Sequence, residues 1–217
     1  GFDASPSEAI AVFLDSSTTN RIDFRAGLSN SESTTLAGGP INFDIGVSRN
    51  VSVAGTSGFS TGKFVYMFGP GINSNWVWLR GEIASLSSTS LTVIPRNTGT
   101  TTTVVQFAAP PTIFLEEAVS IYLIGGSVRH ATASDMCDLA NPLWSPANEI
   151  GRYFTDLVFT YYDASGNVVQ PTSLANRLAI VRVDIRLTVE VAHSLSDGTR
   201  PRYSLSFRTI PRNLLGR

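Results

Sequence analysis

The chain of 217 residues holds one cysteine, one lysine and two histidines, and each scarcity removes a class of chemistry. Cys137 alone closes no internal disulfide and builds no zinc site of the multi-cysteine kind. It reads as a small, partly buried residue, with a reactive thiol as the alternative. His130 and His193 lie far apart in sequence, whereas hydrolytic zinc centres and nucleophilic triads both draw on histidine. A Schiff-base or phosphate role would rest on Lys63 alone, and nothing beside it supports one. Gly55-Thr56-Ser57-Gly58 lacks the final glycine of a nucleophile elbow, and neither a P-loop nor a dinucleotide fingerprint occurs. No apolar run reaches the ~18 residues that span a bilayer. Gly1-Phe2-Asp3-Ala4-Ser5-Pro6 is polar and turn-like, unlike a signal peptide. Charged residues are only 15% and the net charge is -1, which argues against nucleic acid or anionic membrane as the main partner through bulk electrostatics.

What is present is alternation. Val181, Val183, Ile185, Leu187, Val189 and Val191 are apolar, and Arg182, Asp184, Arg186, Thr188 and Glu190 between them are polar. Side chains on a strand point alternately to opposite faces, so this is one long strand with a dry face and a charged, wet face. Tyr203, Leu205 and Phe207, divided by Arg202, Ser204, Ser206 and Arg208, predict a second. Further strands are predicted at residues 21–26, 41–47, 63–68, 75–83, 90–94, 104–107, 119–124, 127–129, 154–162, 168–169 and 178–191. Pro95 is expected to close the strand before it. Pro110-Pro111 reads as a rigid bend joining two sheets. Gly125-Gly126 reads as a hairpin turn, and residues 7–14 are a short helix candidate capped by Ser7. Residues 28–40 and 96–103 read as polar Ser/Thr-rich loops, and 131–151 as irregular. Many short strands, turns between them and hardly any helix give a mostly β chain of antiparallel sheets. It is expected as one domain over 1–217, or as two sub-lobes meeting near 108–112.

Few constellations suggest a site. Trp76 and Trp78 project from one strand face; inter-sheet or core packing is the ordinary expectation, and an exposed pair stacking on a sugar the alternative. Asp163-Ala164-Ser165-Gly166-Asn167 resembles the start of a calcium loop without its terminal glutamate, so a hairpin turn is expected. His130 has Asp135 and Asp138 as candidate neighbours, and Glu116 and Glu117 point opposite ways if extended, a poor acid/base couple. No enzyme activity, metal or cofactor is expected.

The order of the C-terminal segments carries a resemblance. Ile121-Tyr122-Leu123-Ile124-Gly125-Gly126-Ser127-Val128-Arg129 precedes an irregular stretch; then come residues 154–163, then 178–187, and finally Pro211-Arg212-Asn213-Leu214. This resembles the ectodomain of type IV pilin-like proteins, closest to PilW-type minor pilins and the J-type pseudopilins of type II secretion. Trp78-Leu79-Arg80-Gly81-Glu82-Ile83 is similar to the family's Trp-x-x-Gly-x-Ile segment, and residues 21–25 to its first strand. The resemblance implies a pilin-like globular head, α+β in the full family, whose N-terminal helix is absent from this chain. It also implies a structural subunit at the shaft or tip of an extracellular pilus-like filament or pseudopilus, on the periplasmic side of the inner membrane before assembly. Its partners would be other pilin subunits, with a separate small helical pilin chain if the native subunit is split. Gly1, Phe2, Asp3 and Pro6 would then form the inter-subunit joint. Arg182, Asp184, Arg186 and Glu190 are candidate surface contacts, and the Ser/Thr loops candidate glycan carriers. The alternatives are an adhesin-like binding module for glycan or DNA, with Trp76 and Trp78 stacking on the ligand, and a shell-forming coat protein.

Overall fold

The computed structural model describes residues 11–26, 28, 32–36, 39–73, 75–98, 103–133, 136 and 142–210. The fold is mostly β, 56% strand and 3% helix, in antiparallel sheets. In chain order the strands are β1 (Arg21–Arg25), β2 (Glu32–Thr34), β3 (Ile41–Asp44), β4 (Arg49–Ser52), β5 (Phe64–Pro70), β6 (Trp76–Leu86), β7 (Ser90–Thr98) and β8 (Val104–Phe107). There follow β9 (Thr112–Leu115), β10 (Ala118–Ile124), β11 (Ser127–Ala133), β12 (Asn148–Arg152), β13 (Phe154–Tyr162), β14 (Val168–Val169), β15 (Arg182–Glu190) and β16 (Arg202–Thr209). One short helix, α1 (Leu174–Ala179), precedes β15. The chain divides into two compact units that exchange at Arg25/Ala26, Ala118/Val119, Thr132/Ala133 and Leu143/Trp144. Pro110-Pro111 lies inside the first unit, between β8 and β9, so none of these exchanges falls at 108–112. The proline pair does join two sheets, because β8 pairs with β3 while β9 belongs to the larger sheet.

The first unit is a six-stranded sheet of order β2-β9-β5-β6-β7-β4 with the ribbon β3-β8. Its core follows from alternation: Val65 and Met67 of β5, Leu79 and Ile83 of β6, Leu91 and Val93 of β7 and Ile113 of β9 turn inward and are buried. Phe43 and Phe107 complete it, meeting edge to face at 5.9 Å. Each such side chain contributes about 1.5–3 kcal/mol relative to exposure.

The strand expected to end at Pro95 continues to Thr98. The reason is a bulge: Gly81 faces Pro95 and Arg80 faces Asn97, which leaves Arg96 as the extra residue. A proline is tolerated at such a break in the ladder because no donor is needed there. Gly81 itself has no room for a side chain, since a Cβ would lie 2.5 Å from Val93 Cγ1 and 3.1 Å from the Ile94 carbonyl oxygen.

Beside the bulge lies a fully buried ion pair. Arg80 donates from Nε to Glu116 Oε2 at 2.7 Å and from Nη2 to the Met136 carbonyl at 2.6 Å, and its guanidinium sits 3.9 Å from the Phe64 ring centroid. Two charges removed from water are tolerated only when each finds its counterpart.

In the second unit the sheets β1-β10-β11-β12 and β14-β13-β15-β16 share one core. Leu157, Phe159, Tyr161 and Val183 from one sheet meet Ile22 and Val128 from the other, with Phe13 and Ile180. Tyr161 is tied twice: its ring meets Phe13 edge-on at 5.7 Å, and its hydroxyl donates to the Thr18 carbonyl at 2.9 Å. Burial pushes that phenol well above its ordinary pKa.

Four sequence expectations change. Residues 11–14 are not helical; Phe13 bridges to Phe24 as an extended segment, and 7–10 lie outside the described residues. Residues 32–34 form β2 because Glu32 to Thr34 find the free edge of β9. The irregular stretch contains the end of β11 and all but the last residue of β12, which pairs with β11 from Ser127↔Arg152 to His130↔Asn148. Residues 178–179 belong to α1, whose first turn is capped by Ser173 accepting from the Asn176 N–H at 3.2 Å.

Removing one partner of the Arg80–Glu116 pair strands the other. Glu116→Ala is expected to cost about 3–5 kcal/mol in chemical denaturation, whereas replacing Glu190, which is half-buried and pairs with the exposed Arg202, should cost far less.

Candidate functional site

β15 and β16 form the hairpin that the alternation predicts, in register from Val183↔Thr209 to Glu190↔Arg202. The polar face carries a ladder of ion pairs. Asp184 Oδ1 lies 3.3 Å from Arg182 Nε and 3.4 Å from Arg208 Nε. Asp156 Oδ2 lies 3.2 Å from Arg186. Glu190 lies 2.8 Å from Arg202 and 3.6 Å from Arg200. Arg182 is further held flat against Tyr162, 3.8 Å from its ring centroid. The four candidate contact residues are therefore brought together with Asp156, Arg200, Arg202 and Arg208 in pairs internal to the sheet. Five arginines against three carboxylates leave this face positive. A shallow trough of about 670 Å³ runs along it, lined by Val158, Thr160, Arg186 and Ser206 among others.

The opposite face holds the surprise in the hairpin. Ile185, Leu187 and Val189 stand directly opposite Phe207, Leu205 and Tyr203, so all six share one face. Along β15 this face joins the core at Val183 and is half-buried from Ile185 on. Along β16 it is bare: Tyr203, Leu205 and Phe207 are 61%, 54% and 52% exposed. The dry face expected from the sequence is thus dry only on β15, because β16 lies beyond the last strand that the facing sheet covers. β16 is also the sheet edge, and among the described residues no backbone bond reaches its outer side. On the other side of the same sheet β14 pairs with Tyr161 and Tyr162 of β13, and farther along β13 the Phe159 N–H donates to the Thr19 carbonyl at 2.7 Å.

Trp76 and Trp78 do share a face, opposite Pro70 and Phe68 in β5. Trp76 does not pack in a core; it is 67% exposed and lies flat on Phe68, with centroids 4.9 Å apart and planes 10° from parallel. Trp78 is half-buried and meets Tyr66 edge-on at 5.9 Å. The core side of this sheet is already filled by Met67, Leu79 and Ile113, which is why the rings turn outward. Phe68 and Phe114, also exposed, extend the aromatic surface. Their part in it is visible only once the strands are paired.

The remaining candidates fall elsewhere. Gly1, Phe2, Asp3 and Pro6 lie outside the described residues, as do Cys137, Asp135 and Asp138, so only His130 of its constellation is placed, in β11 facing Asn148. His193 is exposed in the turn after β15. Glu116 is taken up by Arg80, and Glu117 Oε2 accepts the Leu28 N–H at 2.7 Å. The carboxylate of Asp163 is consumed within its own turn: Oδ1 accepts the Asn167 and Ser165 N–H groups at 2.8 and 2.9 Å, and Oδ2 the Asn167 side-chain amide at 3.2 Å. Those donors, the Asn167 backbone foremost, hold its pKa below the usual carboxylate range. The Arg80–Glu116 pair escapes a sequence reading because its members are 36 positions apart and no local pattern links them. No protein-family model, curated protein or solved structure matched the chain.

Two outcomes follow from these charges. Asp163 is ionised more readily in the folded chain, so its contribution is full above the unfolded carboxylate pKa and lost as pH falls through the lower folded one. The stability gap between the natural chain and Asp163→Ala, measured by urea unfolding across pH, should be widest near neutrality and narrow in acid. The exposed ladder is weak by the same physics: Asp184→Asn should cost under about 1 kcal/mol, and less still in 1 M salt.

Proposed function

We propose that this chain is the globular β head of a type IV pilin-like subunit, which works by being held in an extracellular pilus-like filament or pseudopilus. One observation carries the proposal. An eight-residue edge strand, β16, is exposed along its whole length and presents a continuous apolar stripe. Water-facing Tyr, Leu and Phe on an unpaired edge are a hazard in a protein that stays alone; in a subunit they are the surface a neighbour covers. The carboxylates of the salt ladder on the reverse face are all paired within the sheet, so the ladder stiffens the hairpin, and the apolar side is the face offered to a neighbour. The segment order in the C-terminal half, together with the Trp-x-x-Gly-x-Ile segment of β6, supports a pilin-like head in particular. In that segment Gly81 makes the bulge and Ile83 enters the core. The partners are then other pilin subunits, and the place of action is the cell surface.

Shearing surface filaments from producing cells and blotting them for this chain tests the reading. The natural chain is expected in the filament fraction. Leu205→Asp, which remains folded because Leu205 is outside the core, should fall there by about tenfold or more, the scale of losing a central apolar anchor. Ser204→Asp, on the polar face, should be incorporated normally. A chain absent from filaments, or Leu205→Asp incorporated as well as Ser204→Asp, contradicts the proposal.

A further inference from the structure

We propose that the aromatic face of the first unit binds a neutral carbohydrate, in the recess where Trp76 and Trp78 meet the turn between β5 and β6. This is independent of filament assembly: it uses a different unit of the chain and none of the residues of β16.

The turn from Gly71 to Asn75 closes on itself, with the Gly71 N–H donating to the Asn75 carbonyl at 2.6 Å. It leaves beside it a recess of about 350 Å³, lined by Trp76, Trp78, Asn73, Asn75 and Gln106 among others. That volume lies within the range of small-ligand sites. At Gly71, which also lines it, a Cβ would come within 2.8 Å of Asn75 Oδ1 and 2.9 Å of Val77 Cγ1, so a side chain there would displace its neighbours.

Three features select the ligand. First, an indole presented to solvent is the natural platform for the C–H face of a pyranose, since the ring's negative face attracts weakly positive C–H groups. Trp76 is held for this: stacked on Phe68, it keeps one face occupied and the other open, so little side-chain freedom remains to be lost on binding. Second, the polar groups around the ring are carboxamides. Asn73, Asn75 and Gln106 each bring a donor and an acceptor, as sugar hydroxyls require and as an apolar peptide does not. Third, the charge matches only a neutral partner. Among the described residues no ionised side chain lines the recess, whereas DNA or an acidic polysaccharide calls for arginine or lysine against its anions.

The experiment uses the whole chain on an array of neutral and acidic oligosaccharides plus single-stranded DNA. Calorimetric titration with the strongest neutral tetrasaccharide follows. Saturable binding confined to neutral glycans is expected. Trp76→Ala should weaken it about tenfold or more, and Trp76→Phe should restore part of the loss because a flat ring returns. Trp76 is exposed, so unfolding midpoints of both variants should match the natural chain and separate lost binding from lost structure. Retention of no neutral glycan, retention of acidic glycans or DNA alone, or neutral binding unchanged in Trp76→Ala would each overturn the proposal. Filament incorporation of Trp76→Ala should remain normal, so a failure here is distinguishable from a failure of the β16 interface.

Discussion

The second unit depends on the register of β15, which fixes where the core stops. With Leu157 opposite Leu187 and Phe159 opposite Ile185 on one side, and Leu205 opposite Leu187 on the other, the apolar side chains of β13, β15 and β16 form a single three-strand-wide face. The sheet packed against it supplies Ile22 and Val128 with partly buried Phe24, Ile121 and Leu123, enough for β13 and the near part of β15. A slip of one residue would bury the arginines and expose the core, so register and hydrophobic pattern hold each other in place. What no register accomplishes is to cover the third of these strands. β16 is paired along one edge by backbone bonds and left bare on its apolar face. From that follows the reading of the chain as a piece meant to have neighbours.

The first unit solves a different problem, a sheet with one filled face and one aromatic face. At one end of the outer face Arg80 and Glu116 are sealed in, backed by Phe64 and the Met136 carbonyl. Farther along β6 the rings of Trp78 and Trp76 reach solvent. The bulge between Arg80 and Gly81 changes the pairing with β7 at the start of this surface. Gly81 allows β7 to approach closely and Pro95 requires no donor. A buried charge pair contributes little net stability compared with an apolar equivalent; its effect is specificity, because any other pairing of β6 would leave a guanidinium without its carboxylate.

How much of this is legible in the sequence depends on whether the cause is local. Alternation over residues 182–190 and 202–209 is local, and it identifies both strands and which residues share a face. It is silent on whether anything lies against that face, so the exposure of Tyr203, Leu205 and Phe207 does not follow from it. Trp76 is the same case: its spacing from Trp78 places both rings together, but only the pairing of β5 with β6 and β9 shows that the other side is already full. Pro95 reads as a stop because its missing N–H is local, while the bulge that excuses it lies on another strand. Residues 178–179 read as the start of a strand because Leu178 and Ala179 continue the apolar run, while the helix they end is capped by Ser173. Arg80 with Glu116 is wholly nonlocal. The candidate sites divide likewise: the charged residues of β15 are recognisable as one face, but their partners Arg202 and Arg208 come from the returning strand and Arg200 from the connection before it.

The central claim is that β16 is completed by another chain. Hydrogen–deuterium exchange of its backbone amides, compared between the isolated protein and assembled filaments, tests this most directly. Alternate amides of β16 donate to β15 and the rest face outward, so the outward set should exchange freely in the isolated chain and become protected on assembly. An outward set already protected in the isolated monomer, or one exchanging equally fast in both states, contradicts the account.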